Sequence, residues 1–529
     1  MRLQCDVMKK LVVACLFLLS AASVFGQTQS PSVQSATNPV NGQASERLSA
    51  DTPKTTVLGN AFVAPQDWSI RVKGPATILQ APEGDSWVAL VDVQAKGPDE
   101  ALAAAWQAYK PEAKWPVKVT NDLPDRDGWS RRRYYEYLTS PNEKRGVAAL
   151  VYYSGSRTVV IEDMSDAVGE KRGGQVALIF GRLLPKGYTR ESFAGKKANS
   201  LDSARIAELS RFVEQGQKVL GVPGVALGLV QDGKIIFADG FGVKELGGTE
   251  KPDADTLFMI ASNTKAMTTL LLAKLVGEHR MTWQTPVTAL LPSFRLGDAE
   301  TTRSVLVKHL ICACTGMPRQ DLEWIFEYGN MTPESSLALL GTMQPTSKFG
   351  ALFQYSNLMA AAAGYTGAYV LYPQTAFGAA YDCAMQSYVF GPLAMKSTTF
   401  DFARALSANH ATAHSPDADG NAKALMAINY AVIPLRPAGG AWSSVRDMLK
   451  YVSMELAEGK LTDGTTYISK EPLLERRAPQ VYIGKDVSYV PGESLQSRNR
   501  STWYSRICSG PRQSGERRKY FAKSSTAWR

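Results

Sequence analysis

The sequence predicts an α/β (α+β) protein, in which a small α+β domain over residues 56–190 precedes a larger domain over residues 203–489. Three observations support this fold class. The length of 529 residues exceeds what one ordinary hydrophobic core fills. Short apolar runs of strand length fill most of the first region. In the second, longer runs with helical spacing follow an opening hairpin, which predicts an antiparallel sheet flanked by helices, with a helical subdomain.

The first 26 residues have the pattern of an export signal. Two lysines precede an apolar stretch, Leu11 to Phe25, which is too short to span a bilayer. We expect cleavage before Gln27 and a periplasmic or extracellular protein. The alternative, a lipoprotein modified at Cys15, is disfavoured because almost no apolar stretch precedes that cysteine. No later segment is apolar enough for a transmembrane anchor.

The net charge of +10 and the pI of about 9.1 suggest a nucleic-acid or membrane partner. The distribution of charge argues against it. The leader carries +2 and residues 491–529 carry +7, which leaves +1 for residues 27–490. The folded body is therefore nearly neutral, and we predict no nucleic-acid partner. A basic arm that binds an anionic polymer or a membrane is the alternative for residues 491–529.

The small domain follows a polar segment, residues 27–55, whose composition predicts a flexible spacer. Aromatic residues within the domain could form a binding face, but at strand spacing they are expected in the core; they are Trp129, Tyr134, Tyr135 and Tyr137. Strands are predicted at Trp68–Val72, Ala76–Gln80, Trp87–Val93, Tyr134–Leu138, Val147–Tyr153 and Thr158–Glu162, and helices at Asp99–Tyr109 and Ala167–Leu184.

A polar segment, Lys186 to Leu201, predicts a linker to the larger domain. The domain begins with an amphipathic helix and a hairpin that turns at Gln231-Asp232-Gly233-Lys234. Its elements are predicted as a helix at Ser203–Val219, strands at Gly224–Val230, Ile235–Val243 and Leu257–Ile260, and helices at Ser262–His279, Val305–Cys314, Pro333–Leu340, Asn357–Leu371, Thr375–Phe390 and Ser443–Leu456.

Cysteine is sparse, which argues against a disulfide scaffold. Cys312 and Cys314 are two residues apart without further ligands at metal spacing, so we predict no metal site. We expect Cys312, Cys314, Cys383 and Cys508 to be buried free thiols.

The strongest chemical signal is Ser262 with Lys265 three residues later. Ser262 ends a predicted strand and starts a helix, so both side chains lie on one face of its first turn. A serine hydroxyl needs a base to become a nucleophile, and a lysine whose pKa is lowered by burial can be that base. Because Ser-x-x-Lys also arises by chance, an N-cap serine beside a surface lysine is the alternative.

A second segment strengthens this hypothesis. Tyr355-Ser356-Asn357 precedes a small, apolar helix. A tyrosine near the lysine can move a proton between nucleophile and leaving group, and Asn357 can orient a substrate amide. Tyr328-Gly329-Asn330 is a competing match. We favour Tyr355 because Tyr328 lies in a more exposed turn.

The hairpin, Ser262-x-x-Lys265 and Tyr355-Ser356-Asn357 together resemble the serine beta-lactamase-related hydrolases, which include class C beta-lactamases, penicillin-binding DD-peptidases and family VIII esterases. Pro437 to Ser444 is also similar to a recurrent segment of that family. The resemblance covers about residues 203–489. It implies a beta-lactamase/transpeptidase-like fold, with Ser262 as acylated nucleophile, Lys265 as base, Tyr355 as second general base and Asn357 as substrate-orienting group. It implies no cofactor.

Two departures from the family pattern stand out. A His-Thr-Ser-Gly stretch is replaced here by Cys312 to Gly316, of which only the Thr-Gly end matches. The family's third motif, Lys-Thr-Gly or His-x-Gly on a sheet edge, has no match: none of the four histidines lies after His414. That strand supplies the second oxyanion donor, so the domain is expected to be incomplete.

The expected place of the third motif is residues 490–529. From the set Val, Ile, Leu and Met, residues 491–529 contain only Leu495 and Ile507, against eight serines and nine basic residues. Such a composition predicts no amphipathic strand and favours a disordered or aberrant tail. We hypothesise that the sequence is out of frame from about residue 490. Translation of the coding DNA in the other two frames tests this, since one of them should restore the third motif.

The combined interpretation is an exported serine hydrolase that acts on a beta-lactam, a D-amino-acid peptide or an ester. The alternative is a non-catalytic protein on the same fold that binds cell-wall fragments, because the third motif is missing. The motifs do not separate the substrates, which share one nucleophile and differ in the pocket that they need.

Overall fold

The computed structural model describes residues 45–191, 197–417, 421–478, 480–484, 487–490 and 493–497. The predicted signal, most of the spacer and residues 498–529 lie outside this range. The chain divides into two compact units, one on each side of residues 192–196.

The N-terminal unit is built on an eight-stranded antiparallel sheet with the order β1-β4-β5-β6-β10-β9-β8-β7, beside which β2 and β3 form a separate ribbon. The strands are β1 (Glu46–Arg47), β2 (Thr52–Thr55), β3 (Ala61–Ala64), β4 (Ser69–Lys73), β5 (Ala76–Gln80), β6 (Trp87–Val93), β7 (Val117–Leu123), β8 (Ser130–Tyr137), β9 (Arg145–Ser154) and β10 (Ser156–Ser165), and the helices are α1 (Pro98–Tyr109) and α2 (Asp166–Arg182).

Both faces of the central strands are covered, which explains their continuous apolar runs. In β6, Val88 and Leu90 pack in the core beneath α2, whereas Ala89 and Val91 pack in the core beneath α1. Successive side chains of a strand point to opposite faces, so a strand covered on both faces needs no polar alternation. The small α+β domain predicted for residues 56–190 corresponds to this unit.

Four strands of this unit were not predicted. β1 and β2 lie inside the predicted spacer, so the assignment of residues 45–55 to a flexible segment is wrong. β7 is an edge strand whose side chains are mostly exposed, and its sequence Val-Lys-Val-Thr-Asn-Asp-Leu carries no apolar run that would predict it. The expectation that the aromatic residues fill the core is confirmed for Trp129, Tyr135 and Tyr137, which are buried.

The C-terminal unit combines a large helical core with several small sheets. Its helices are α3 (Ser203–Val219), α4 (Thr264–Gly277), α5 (Val287–Leu290), α6 (Ala299–Ser304), α7 (Asp321–Glu327), α8 (Pro333–Leu340), α9 (Asn357–Leu371), α10 (Phe377–Met385), α11 (Phe402–Ser407), α12 (Arg436–Gly439), α13 (Val445–Leu456) and α14 (Lys470–Glu475). Its strands are β11 (Gly224–Gln231), β12 (Lys234–Gly242), β13 (Phe258–Met259), β14 (His414–Pro416), β15 (Ala422–Ala424), β16 (Trp442–Ser443), β17 (Val481–Gly484), β18 (Val487–Val490) and β19 (Glu493–Ser497).

The centre of the helical core is the pair α4 and α9. Small residues of α9 let neighbouring segments approach closely: a Cβ on Gly364 would lie 2.4 Å from Pro437 Cβ, and one on Gly367 would lie 2.9 Å from Leu272 Cδ2. Nearly every residue of α9 up to Ala368 is buried. This packing fixes the start of α4 against the start of α9, where the candidate catalytic side chains lie.

The hairpin β11–β12 packs on α13, whose Val445 and Leu449 lie against Gly228. Within the described residues, β11 and β12 pair only with each other. Every residue of β11 remains partly exposed, although the strand is largely apolar.

Two sequence predictions in this unit need correction. The predicted helix Val305–Cys314 is only a short 3-10 turn at Val307–Leu310, since Ala313 and Gly316 both adopt positive φ values that end helical geometry. The segment after residue 490, predicted to hold no strand, forms β19, which pairs with β18 in a three-stranded sheet with β17.

Candidate active site

Ser262 lies at the junction between β13 and α4. It occupies the middle of a 3-10 turn, Ala261–Asn263, that continues directly into the helix. Ala261 has φ 47°, which is uncommon for a residue with a side chain and lifts the turn out of the strand direction. Ser262 is exposed at this turn, so its hydroxyl is open to a substrate.

Lys265 is buried in the first turn of α4 and points back at the serine. Its Nζ donates to three acceptors: Ser262 Oγ at 3.1 Å, Asn357 Oδ1 at 2.8 Å and the Ala438 carbonyl oxygen at 2.6 Å. Three donors are all that an ammonium group has, so each of its hydrogens has a partner. The alternative of a surface lysine beside an N-cap serine is thereby excluded.

Tyr355 completes the cluster from the opposite side. Its hydroxyl is 2.9 Å from Ser262 Oγ, and the Lys265 Nζ lies 4.8 Å from the centre of its ring. Burial acts to raise the pKa of Tyr355, but the charges of Lys265 and Arg319 and the hydrogen bonds with Lys265 and Ser262 lower it below its ordinary value. The phenolate form, which accepts a proton, is therefore favoured relative to a free tyrosine.

Asn357 is the first residue of α9, where Ser356 caps the helix by accepting a hydrogen bond from the Met359 amide. This cap fixes the segment that carries both Tyr355 and Asn357. The competing tyrosine, Tyr328, lies in a 3-10 turn at Tyr328–Asn330 that follows α7. The hydroxyl that contacts Ser262 belongs to Tyr355.

Ala438 belongs to the segment Pro437 to Ser444, which wraps around the start of α4. The Ala441 carbonyl accepts from the Ile260 amide, and the Ala441 amide donates to Thr264 Oγ1. The sequence singled out this segment without predicting that its backbone binds Lys265. A backbone carbonyl leaves no signal in the identity of its residue, so sequence reasoning could not have found this contact.

The expectation that the cysteines are buried free thiols is wrong for three of them: Cys312 and Cys314 form a disulfide, and Cys383 is exposed. Cys508 lies outside the described residues. The disulfide closes a tight loop around Ala313, whose carbonyl accepts from the Gln354 amide at 2.8 Å. The loop therefore supports the residue that directly precedes Tyr355.

No group of three or more His, Cys, Asp or Glu side chains in the described part of the chain could hold a metal ion. A search of the same residues for membrane spans found no helix that combines the length and the hydropathy needed to cross a bilayer.

Comparisons with known proteins identify the family of the chain. A family model described as Beta-lactamase matches residues 209–482, which is more than half of the chain, and the chain belongs to this family. The predicted family resemblance and fold class are confirmed.

Individual relatives are distant. Protein flp of Staphylococcus aureus strain MW2 is 26% identical over 195 residues, covering 36% of this chain and 38% of the relative. Unguisins hydrolase ungD' of Aspergillus campestris is 28% identical over 247 residues, covering 44% and 43%. The chain thus spans well under half the length of these curated relatives.

Two solved structures also match part of the chain. An octameric penicillin-binding protein homologue from Pyrococcus abyssi matches with 23% identity and a TM-score of 0.47, covering 54% of this chain and 64% of that one. The D-alanine carboxypeptidase AmpC from Burkholderia cenocepacia matches with 20% identity and a TM-score of 0.41, covering 53% and 71%.

Proposed function

We propose that the protein is a serine hydrolase that forms an acyl-enzyme on Ser262. The observation that carries this proposal is the set of hydrogen bonds at Ser262 Oγ, which lies 3.1 Å from Lys265 Nζ and 2.9 Å from the Tyr355 hydroxyl. An exposed nucleophile between two groups that can each take its proton is the arrangement that nucleophilic catalysis by serine requires.

The reaction would proceed in two stages. Lys265 or Tyr355 accepts the hydroxyl proton while Ser262 Oγ attacks the substrate carbonyl carbon, and the Ser262 backbone N–H donates to the oxygen that becomes negative. Tyr355 then protonates the leaving group. Water attacks the acyl-enzyme with the same groups acting in reverse, and the ester to Ser262 breaks to release the acid.

The substrate class is a carbonyl compound with an amide or ester leaving group, and a beta-lactam, a D-amino-acid peptide and a simple ester all qualify. Asn357 would orient the substrate amide. The similarity to a protein named as an unguisins hydrolase supports hydrolysis of one of these substrates.

Mass spectrometry after incubation with a fluorescent penicillin and with a p-nitrophenyl ester tests the acyl-enzyme. We expect one equivalent of adduct on the peptide that contains Ser262 and none in Ser262→Ala. Ser304→Ala, which alters another exposed serine of the same unit, is the matched control and should label as the wild type does. Undiminished labelling of Ser262→Ala would refute the proposal.

A non-catalytic protein that binds cell-wall fragments is the second candidate. It is favoured by one observation: within the described residues, no third strand lies beside the β11–β12 hairpin to supply a second oxyanion donor. Hydrolysis of a chromogenic cephalosporin or ester separates the two candidates. Turnover indicates a hydrolase, whereas saturable binding of a muropeptide without adduct or turnover indicates a binding protein.

We further propose that the protein is exported. The pattern of residues 1–26 supports this, and so does the Cys312–Cys314 disulfide, because disulfides persist mainly in oxidising compartments. Fractionation of cells that produce the full chain should place the protein outside the cytoplasm with Gln27 as its first residue. An uncleaved cytoplasmic product would contradict export.

A further inference from the structure

Asp321 is a buried carboxylate next to the proposed catalytic cluster, to which sequence analysis gave no role. Its residue exposure is 2%. It accepts hydrogen bonds from Trp324 Nε1 at 2.9 Å, from Asn357 Nδ2 at 3.0 and 3.2 Å, and from Arg319 Nε. A buried charge is tolerated only when it is paired and hydrogen-bonded, and Asp321 meets both conditions.

These contacts fix which way the Asn357 amide points. Arg319 and Trp324 have only donors to offer, so Asp321 faces them as an acceptor and needs a donor from Asn357 as well. Only the NH2 end of the amide can supply it. The Oδ1 end must then point the other way, where it lies 2.8 Å from Lys265 Nζ.

The orientation of Asn357 in turn decides where the lone pair of Lys265 points. To accept the Ser262 proton, Lys265 must be in its neutral amine form, which has two hydrogens and one lone pair in place of the three hydrogens of the ammonium form. Asn357 Oδ1 and the Ala438 carbonyl are acceptors only and take the two hydrogens, which leaves the lone pair directed at Ser262 Oγ, 3.1 Å away. If the amide of Asn357 turned over, its NH2 group would face the amine and this arrangement would be lost.

We propose that Asp321 is a positioning residue for acylation: through the amide of Asn357 it holds Lys265 in the orientation that accepts the Ser262 proton. This inference rests on the proposed acyl-enzyme mechanism. Asp321 also pairs with Arg319, whose guanidinium lies 5.4 Å from the centre of the Tyr355 ring. The buried Asp321 carboxylate therefore contacts both Asn357, which binds Lys265, and Arg319, which lies beside Tyr355.

The kinetic test compares Asp321→Asn with the wild type in acylation by a chromogenic ester. We expect kcat/KM to fall about 10- to 100-fold, because small displacements of a reacting group have effects of that size. Dissociation constants measured in the Ser262→Ala background should stay unchanged. Trp324→Phe, which removes another hydrogen bond to Asp321 without touching Asn357, is the matched control and should change kcat/KM less than threefold.

A double-mutant cycle shows whether Asp321 acts through Asn357. In Asn357→Ala the further change Asp321→Asn should have little effect, because the contact that it alters is already absent. Full additivity of the two losses would overturn the inference, and so would a wild-type acylation rate in Asp321→Asn. If Asp321→Asn fails to fold, a charge-balanced comparison replaces it. The double variant Arg319→Gln with Asp321→Asn is then compared with Arg319→Gln alone.

A readout that needs no activity separates this inference from the proposed function. The side-chain amide of Asn357, labelled with 15N and assigned by its loss in Asn357→Ala, should be protected from hydrogen exchange in the wild type and in Trp324→Phe but not in Asp321→Asn. If the Asn357 amide is protected but the wild type is not acylated, the proposed function is refuted, whereas the contact between Asn357 and Asp321 is supported. Equal exchange in all three proteins would overturn the positioning role.

Discussion

The two units differ in how completely their sheets are covered. In the N-terminal unit, eight paired strands carry a helix on each face, and central strands such as β6 and β10 are buried almost throughout. In the C-terminal unit, the helices around α4 and α9 are equally buried, but the hairpin β11–β12 pairs only with itself in the described residues and stays partly exposed. The active-site side chains lie at the edge of the helical core of that unit, where Lys265 is buried and Ser262 is exposed.

This difference separates two requirements of a serine hydrolase: groups that move the proton of the nucleophile, and donors that bind the oxyanion. The nucleophile and both candidate bases depend on the packing of α4, α9 and the segment around Ala438, all of which is present. The second oxyanion donor depends on a strand next to the hairpin β11–β12. Within the described residues, no strand lies there. The described residues therefore supply the groups for proton transfer at Ser262 and no strand beside the hairpin to donate to the tetrahedral intermediate.

Truncation of buried leucines should produce the largest effects on stability. Leu271→Ala in α4 and Leu90→Ala in β6 each remove a fully buried side chain, and each should lower the free energy of unfolding by about 2–5 kcal/mol. Leu229→Ala in the partly exposed β11 should cost less than about 1.5 kcal/mol. Urea titrations followed by circular dichroism measure the three changes. An equal cost at Leu229 would mean that the hairpin is as well packed as the helical core.

Glycine substitutions should give a smaller contrast between the units. A Cβ on Gly228 would lie 2.7 Å from Leu449 Cδ1 and from Val445 Cγ2, so Gly228→Ala must displace these side chains and should cost about 1–3 kcal/mol. Gly173→Ala in α2 meets no atom within 4 Å and should stabilise by up to about 1 kcal/mol, since alanine favours a helix. Thermal unfolding of both variants checks the signs. A neutral Gly228→Ala would show that the hairpin is free to move away from α13.

Sequence reasoning identified most of the elements with apolar runs. It failed for an exposed edge strand and for contacts that exist only in the folded chain. Five predicted elements, among them β5, β6 and α9, have the observed bounds, because their apolar runs can be read directly from the side chains. β7 was missed because an exposed edge strand needs no apolar residues. At the site, the structure brings Ser262, Lys265, Tyr355 and Asn357 together as predicted, whereas Asp321 and the Ala438 carbonyl act through folded geometry that no local motif encodes.

Glu162 in β10 should make the stability of the N-terminal unit depend on pH. Burial raises its pKa to about 7, so the folded unit binds more protons than the unfolded chain between about pH 4.5 and 7. Stability should therefore fall as pH rises through that window and level off above it. Melting temperatures of Glu162→Gln should lose this decline, whereas the exposed Glu112→Gln should retain it. An unchanged decline in Glu162→Gln would assign it to another group.

The smallest effect that we expect is a shift in the pH profile of acylation. The pKa of Tyr355 is lowered in part by Arg319, whose guanidinium lies 5.4 Å from the ring centre. If the Tyr355 phenolate accepts a proton during acylation, the rate rises with pH through this pKa. Loss of this positive charge should raise the pKa of Tyr355, so Arg319→Gln should move the rising limb to higher pH.

Stopped-flow measurement of acylation by the p-nitrophenyl ester between pH 5 and 10 gives this limb directly. Arg303→Gln removes another, exposed positive charge from the same unit and should leave the limb in place. An Arg319→Gln limb that coincides with the wild type would show that Tyr355 does not set the pH dependence. Lys265 would then be the base for Ser262, and the buried network of the C-terminal unit, rather than the charge next to the ring, would control the reaction.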